Sequence, residues 1–131
     1  GGAAAGIAAY RLGNAAAKGI PADAQFAQKT YGAMFSKGGT FAGKSVDDVA
    51  AALRAGAMKP SDVPIDYIVR DGRTIILNTR SSQALEAAGV ARSEWNAVNR
   101  TGNAAYEGRL TDQLSGNPGG PFDTVRRSGG Q

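Results

Sequence analysis

Residues 67–81 read YIVRDGRTIILNTRS, two short apolar runs hinged on Asp71-Gly72 and closed by Asn78-Thr79-Arg80-Ser81. Asp-Gly between alternating apolar residues is a strong signal for a two-residue type I′ hairpin turn. That turn sets a register in which Arg70 faces Arg73, Val69 faces Thr74, Ile68 faces Ile75 and Tyr67 faces Ile76. Side chains alternate along a strand, so Ile65, Tyr67, Val69, Thr74, Ile76 and Asn78 share one face. Asp66, Ile68, Arg70, Arg73, Ile75, Leu77 and Thr79 share the other. Both faces are partly apolar, which predicts a sheet covered on one side and partly on the other. Two arginines directly opposite each other repel unless an anion or water separates them. The plainer account is two solvated side chains beside an exposed turn.

The polar corner that follows lies between a strand end and a helix start. Backbone N–H groups and hydroxyls of Thr79 and Ser81 then point where helix N-termini accept anions, with Arg80 supplying charge. Thr79 or Ser81 also reads simply as a helix N-cap, and both roles are compatible. Downstream, SSQALEAAG predicts a short helix with Ala84, Leu85 and Ala88 inward and Gly89 as its stop. RSEWNAVNRTG predicts a second helix capped by Ser93, and NAAYEGRLTDQL a third with Tyr106, Leu110 and Leu114 on one stripe. Asn103 reads as its cap, SGNPGGP as a loop and FDTVRR as a final short strand.

Upstream, a helix is expected from Pro21-Ala22-Asp23 to about Ser36, followed by the loop SKGGTFAGKS. Residues 38–45, GGTFAGKS, fit the literal phosphate-loop spacing, but that motif needs a preceding buried strand and a helix is predicted there. Ser45 is better read as the start of a capping box, Ser-Val-Asp-Asp, opening a helix with Val46, Val49, Ala50 and Leu53 inward and Gly56 at its end. Asp47 and Asp48 fall in its first turn, where the helix dipole favours negative charge. Residues 1–20 are Gly/Ala-rich and read as a leader, with residues 21–131 forming one domain. The fold class expected is α+β: N-terminal helices, then a small antiparallel sheet with additional short helices.

Composition narrows the chemistry. The 131 residues include neither cysteine nor histidine, which excludes disulfides, thiolate catalysis, imidazole acid–base pairs and thiolate or imidazole metal sites. No apolar run is long enough for a stable membrane span, and the opening residues lack a signal-peptide pattern. Formal net charge is +4, a mild indication of an acidic partner. All lysines lie at or before Lys59, while residues 60–131 carry eight arginines and eight carboxylates. Guanidinium forks match phosphate geometry and stay charged, so this half suits anion recognition.

Two more groups bear on binding. At helical spacing, Trp95 neighbours Asn99, with Asn96 and Arg100 on the adjacent edge, so ring, amides and arginine could serve a base and its phosphate. A lone Trp is more ordinarily a core anchor. Arg126, Arg127 and Ser128 form a further group on the final strand. An RNA substrate carries its own nucleophile, the 2′-hydroxyl, so its cleavage needs only orientation, charge stabilisation and proton movement. DNA lacks that nucleophile and its hydrolysis usually uses a metal held by acidic residues. The one adjacent acidic pair already has a helix-start role.

Residues 44–102, KSVDDVAAALRAGAMKPSDVPIDYIVRDGRTIILNTRSSQALEAAGVARSEWNAVNRTG, with the closing VRRSGGQ, resemble the C-terminal toxin module of contact-dependent growth-inhibition proteins of the filamentous-haemagglutinin type. The resemblance extends over roughly residues 30–131. Several such modules belong to the barnase–EndoU–colicin–RelE superfamily, with helices followed by a small antiparallel sheet. It implies a monomeric module of a secreted, cell-surface protein that acts in the cytoplasm of a neighbouring bacterium, cleaves RNA, often tRNA, and is neutralised by a cognate immunity protein. Catalytic residues vary across that superfamily, so the resemblance transfers none.

The reading that results is a metal-independent, cofactor-free ribonuclease. Arg70, Thr79, Arg80 and Ser81 are its expected catalytic group, and Trp95, Asn96, Asn99, Arg100, Arg126, Arg127 and Ser128 its substrate contacts. The alternatives are a non-catalytic nucleic-acid or protein-binding module and a ParB-like metal-dependent nuclease, to which VPIDYIVRDGRTIIL has a passing likeness.

Overall fold

The hairpin forms in the register its turn dictates. In the computed structural model, which describes residues 19–128, β3 (Ile65–Arg70) and β4 (Arg73–Ile76) pair antiparallel with Arg70 opposite Arg73 and Ile68 opposite Ile75. Asp71 and Gly72 both take positive φ, 54° and 76°, as a type I′ turn requires.

Each outer edge of this hairpin is completed by a strand where a helix was expected. β1 (Gln25–Phe26) runs parallel to β4, and β5 (Ala97–Asn99) runs parallel to β3, giving the order β1-β4-β3-β5. The sheet is therefore mixed, and only its central hairpin is antiparallel. A hairpin alone leaves a row of unpaired N–H and C=O groups on each side, and these recruit the nearest extended segments. Thus the Ile65 N–H donates to the Asn96 carbonyl and the Arg100 N–H to the Tyr67 carbonyl. The helix expected over residues 21–36 is absent. In its place stand β1, β2 (Thr30–Tyr31) and intervening turns, with Phe26 exchanging two backbone bonds with Phe122. The short β6 (Arg126–Arg127) pairs parallel with β2, forming a separate two-stranded ribbon.

The helices are α1 (Val46–Ala55), α2 (Thr79–Ala87) and α3 (Ala104–Ser115). α1 opens on the complete capping box: Ser45 Oγ accepts from the Asp48 N–H, and Asp48 accepts from the Ser45 N–H. Its end is a left-handed Gly56. α3 is capped by Asn103, as expected. No helix among the described residues is long and apolar enough to cross a membrane.

The two faces of the hairpin sort the core. Ile65 and Ile76 pack with Val46 and Val49 of α1, Ala84 and Leu85 of α2, and Trp95. Ile68, Ile75 and Leu77 pack on the opposite face with Leu110 of α3, flanked by Tyr106 and Leu114. The result is three layers, α1 and α2 over one face and α3 over the other, an α+β arrangement. Gly19 and Ile20 belong to this packing: the Gly19 N–H donates to the Trp95 carbonyl, and Ile20 is buried. Gly19 sits at φ 91°, where a Cβ would lie 2.7 Å from the Ser93 carbonyl oxygen, so only glycine fits. The rest of the Gly/Ala-rich leader lies outside the described residues.

Candidate functional site

Asn78, Arg80 and Ser81 line a cavity of about 480 Å³. Its walls come from three places. The segment before α1 contributes Gln28, Phe35, Ser36 and the loop through Gly38, Gly39, Thr40 and Phe41. The end of the hairpin and the first turn of α2 contribute Leu77, Asn78, Arg80 and Ser81, while α3 contributes Arg109 and Gln113. Pro64 completes the lining. Two guanidinium groups face this space and no carboxylate does.

Arg80 is the central side chain. It is half-buried, yet makes no ion pair and no side-chain hydrogen bond among the described residues, and its Nε is sealed from solvent without a partner. An unmet buried donor costs free energy, and because Nε is sealed it is the two Nη groups, which are not, that can meet an anion. Its guanidinium turns toward the segment before α1: a methyl on Gly32 would sit 3.7 Å from its Nη2. Among the described residues Arg109 makes only a long bond, 3.4 Å, from its Nη2 to the Leu77 carbonyl, which also accepts from Gln113 Nε2 at 3.3 Å.

The α2 N-terminus adds to this field. Asn78 is its N-cap residue, but the Asn78 side chain does not cap the helix. It is engaged by β3 instead, accepting from the Asp66 N–H through Oδ1 and donating to Asp66 Oδ2. Thr79 and Ser81 are therefore the first and third helical residues, correcting the expectation that one of them is the cap. Thr79 is buried at 2 % exposure, its Oγ1 has no partner and it does not line the cavity; Ser81 does.

No known protein family, curated protein or solved structure matches this chain. The site therefore rests on its own geometry.

The remaining expected residues lie elsewhere. Arg70 reaches α3, donating to Glu107 Oε1 at 2.6 Å, to the Glu107 carbonyl and to Thr111. Glu107 is thus the anion that relieves the Arg70–Arg73 pair, and Arg70 ties the hairpin to α3 rather than lining the cavity. In return, Arg70 and the Gly102 N–H hold the Glu107 carboxyl below its ordinary range. Trp95 is fully buried, with its indole N–H donating to the Val90 carbonyl. Its ring has no free face for a base, and the helix that would have aligned it with Asn99 and Arg100 is replaced by a single 3₁₀ turn, Arg92–Glu94, and β5. Asn96 donates to the Ser61 carbonyl, and Asn99 accepts from Thr101. Arg100 donates to Asp66 at 2.8 Å and lies over the Tyr106 ring, and the Asp66 bond raises its pKa.

The last group divides. Arg127 forms a two-pronged bond to Asp47, lowering that carboxyl's pKa, and lies over Tyr31; Ser128 Oγ donates to the Tyr31 carbonyl. Arg126 lines a separate, more open pocket with Lys29 and Asp123. Of the eleven expected residues, then, Arg80 and Ser81 come together in the main cavity. Gln28, Phe35, Arg109 and Gln113 were not anticipated. Arg109 and Gln113 stand four apart beside the Leu110–Leu114 stripe, so one edge of α3 carried a legible signal.

Proposed function

We propose that this chain is an RNA-cleaving toxin module that breaks phosphodiester bonds without a metal, with tRNA as its expected target. The observation that supports it is Arg80, a guanidinium without a partner among the described residues, in a cavity whose described lining holds no carboxylate, beside a helix N-terminus that its own cap residue does not serve. Resemblance of residues 44–102 to contact-dependent growth-inhibition modules supports the toxin role, delivery into a neighbouring bacterium and a cognate immunity protein as partner.

In this reading a phosphodiester sits between Arg80 and Arg109. The adjacent ribose 2′-oxygen attacks phosphorus, the bond to the 5′-oxygen breaks, and a 2′,3′-cyclic phosphate and a 5′-hydroxyl result. The guanidinium groups and the Ser81 hydroxyl stabilise charge on the phosphorane oxygens. The lining holds no carboxylate, lysine or tyrosine, so hydroxide removes the 2′ proton and water protonates the leaving oxygen, regenerating the hydroxide.

The same lining favours a second reading, a non-catalytic RNA-binding module. One experiment separates them: the purified chain is incubated with total bacterial RNA in excess chelator. Fragments ending in cyclic phosphate, lost with Arg80→Ala, support the nuclease; RNA that is bound but stays whole supports the binding module.

A further inference from the structure

The cavity offers more than a phosphate would use. Phe35 is half-buried on its wall and packs edge-to-face on the buried Phe41, with ring centroids 5.1 Å apart at 62°. Gln28 also lines it, and its amide makes no hydrogen bond among the described residues, although neither amide atom is sealed from solvent. The other amides are committed. Asn78 is bonded through both ends to Asp66, and Gln113 has its nitrogen on Leu77 and its oxygen sealed off.

Gln28 therefore presents an open donor and acceptor side by side, in the same cavity as an aromatic ring and two arginines that make no ion pair among the described residues. A bare phosphate has no use for the ring or the amide. A nucleobase uses both, its π-face on an aromatic side chain and its edge on a carboxamide. A volume of about 480 Å³ is within the range of small-ligand pockets. Gly32, whose added methyl would approach Arg80 Nη2, lies in the chain between Gln28 and Phe35, so the segment that carries both of these residues passes beside Arg80.

We propose that this cavity is a base-selective nucleotide subsite: Arg80 and Arg109 take the phosphate, Phe35 stacks the base and Gln28 reads its edge. This rests on the cavity being the phosphodiester site.

The test is calorimetric binding of the four ribonucleoside 3′-monophosphates and of inorganic phosphate to the full chain. At least one nucleotide is expected to bind about 10-fold or more tightly than phosphate, the scale of one base–aromatic stack. Phe35→Leu, which keeps an apolar side chain against Phe41 but has no π-face, removes that advantage and leaves phosphate binding unchanged. Gln28→Ala flattens the ranking among the four bases. Nucleotides that bind no better than phosphate, or a ranking untouched by both variants, overturn the subsite. If RNA is cleaved while nucleotides show no advantage, the subsite fails and the phosphodiester reading stands. If nucleotides are ranked but RNA stays whole, the nuclease reading fails and the subsite stands.

Discussion

Asn78 gives its whole carboxamide to Asp66: its Oδ1 accepts the Asp66 N–H and its Nδ2 donates to the Asp66 carboxylate at 3.2 Å. One side chain thereby ties the hairpin's exit to β3 and leaves α2 without a side-chain cap. Asn78→Ala removes both bonds and strands a buried N–H, so unfolding stability should fall by about 1–3 kcal/mol. Urea denaturation checks this. Asn78→Asp, which sets a second carboxylate against Asp66, should be worse than Ala at neutral pH.

Arg80→Ala and Arg109→Ala should each lower RNA cleavage by about 10²–10³-fold, the cost of removing one donor from a developing oxyanion. Their melting temperatures should match the parent, because neither arginine makes an ion pair among the described residues. Arg80→Lys should recover only part of the rate, since an ammonium does not reproduce the planar fork. Full activity in a folded Arg80→Ala protein would sink the assignment.

With no carboxylate, lysine or tyrosine on the lining, nothing there titrates across neutrality. Cleavage should therefore rise roughly tenfold per pH unit between about pH 5 and pH 8, without a bell-shaped maximum. Initial rates in a constant-ionic-strength buffer series measure this. A clear maximum would show that a protein group outside the lining acts as base.

Glu107 has a folded pKa below its ordinary 4.5, chiefly through the hydrogen bond from Arg70. A lowered carboxyl contributes stability in full above its unfolded pKa, and loses it as pH falls through the folded value. The stability difference between parent and Glu107→Gln should thus be constant near neutrality and shrink below about pH 4.5. Asp48 is lowered in the same direction by the Ser45 cap and should weaken α1 over the same acid range. Urea midpoints followed from pH 7 to about pH 3 test both.

Trp95→Ala should cost about 3–5 kcal/mol, the range for emptying a large aromatic site. Cleavage per folded molecule should hold, because the ring is fully buried away from the cavity lining. A specific loss of activity in the folded fraction would restore Trp95 as a substrate contact.

Local signals decided the parts of this fold that are local in cause. Asp71-Gly72 set the hairpin and its register, Ser45 with Asp48 set the start of α1, and Asn103 set the start of α3. Each is a contact between residues a few positions apart, so the chain's own order specifies it. The helices expected over 21–36 and 93–102 fail for the opposite reason. Phe26, Thr30, Tyr31 and Val98 suit a strand as well as a helix, and Asn96 and Asn99 are poor helix formers. The unpaired edges of β3 and β4 settled the matter by offering hydrogen bonds that no local helix could match.

The site divides along the same line. Arg80 and Ser81 were visible because a strand end running into a helix is a sequence feature. That Arg70 and Arg100 are taken by Glu107 and Asp66 depends on where α3 and β5 come to lie, 34 or more positions away in sequence. Only tertiary packing brings Arg109 from α3, and Gln28 and Phe35 from the segment before α1, to the corner at Arg80. Sequence determined which residues could carry charge without histidine or cysteine. Long-range packing determined which of those charges found a carboxylate and which were left facing the cavity.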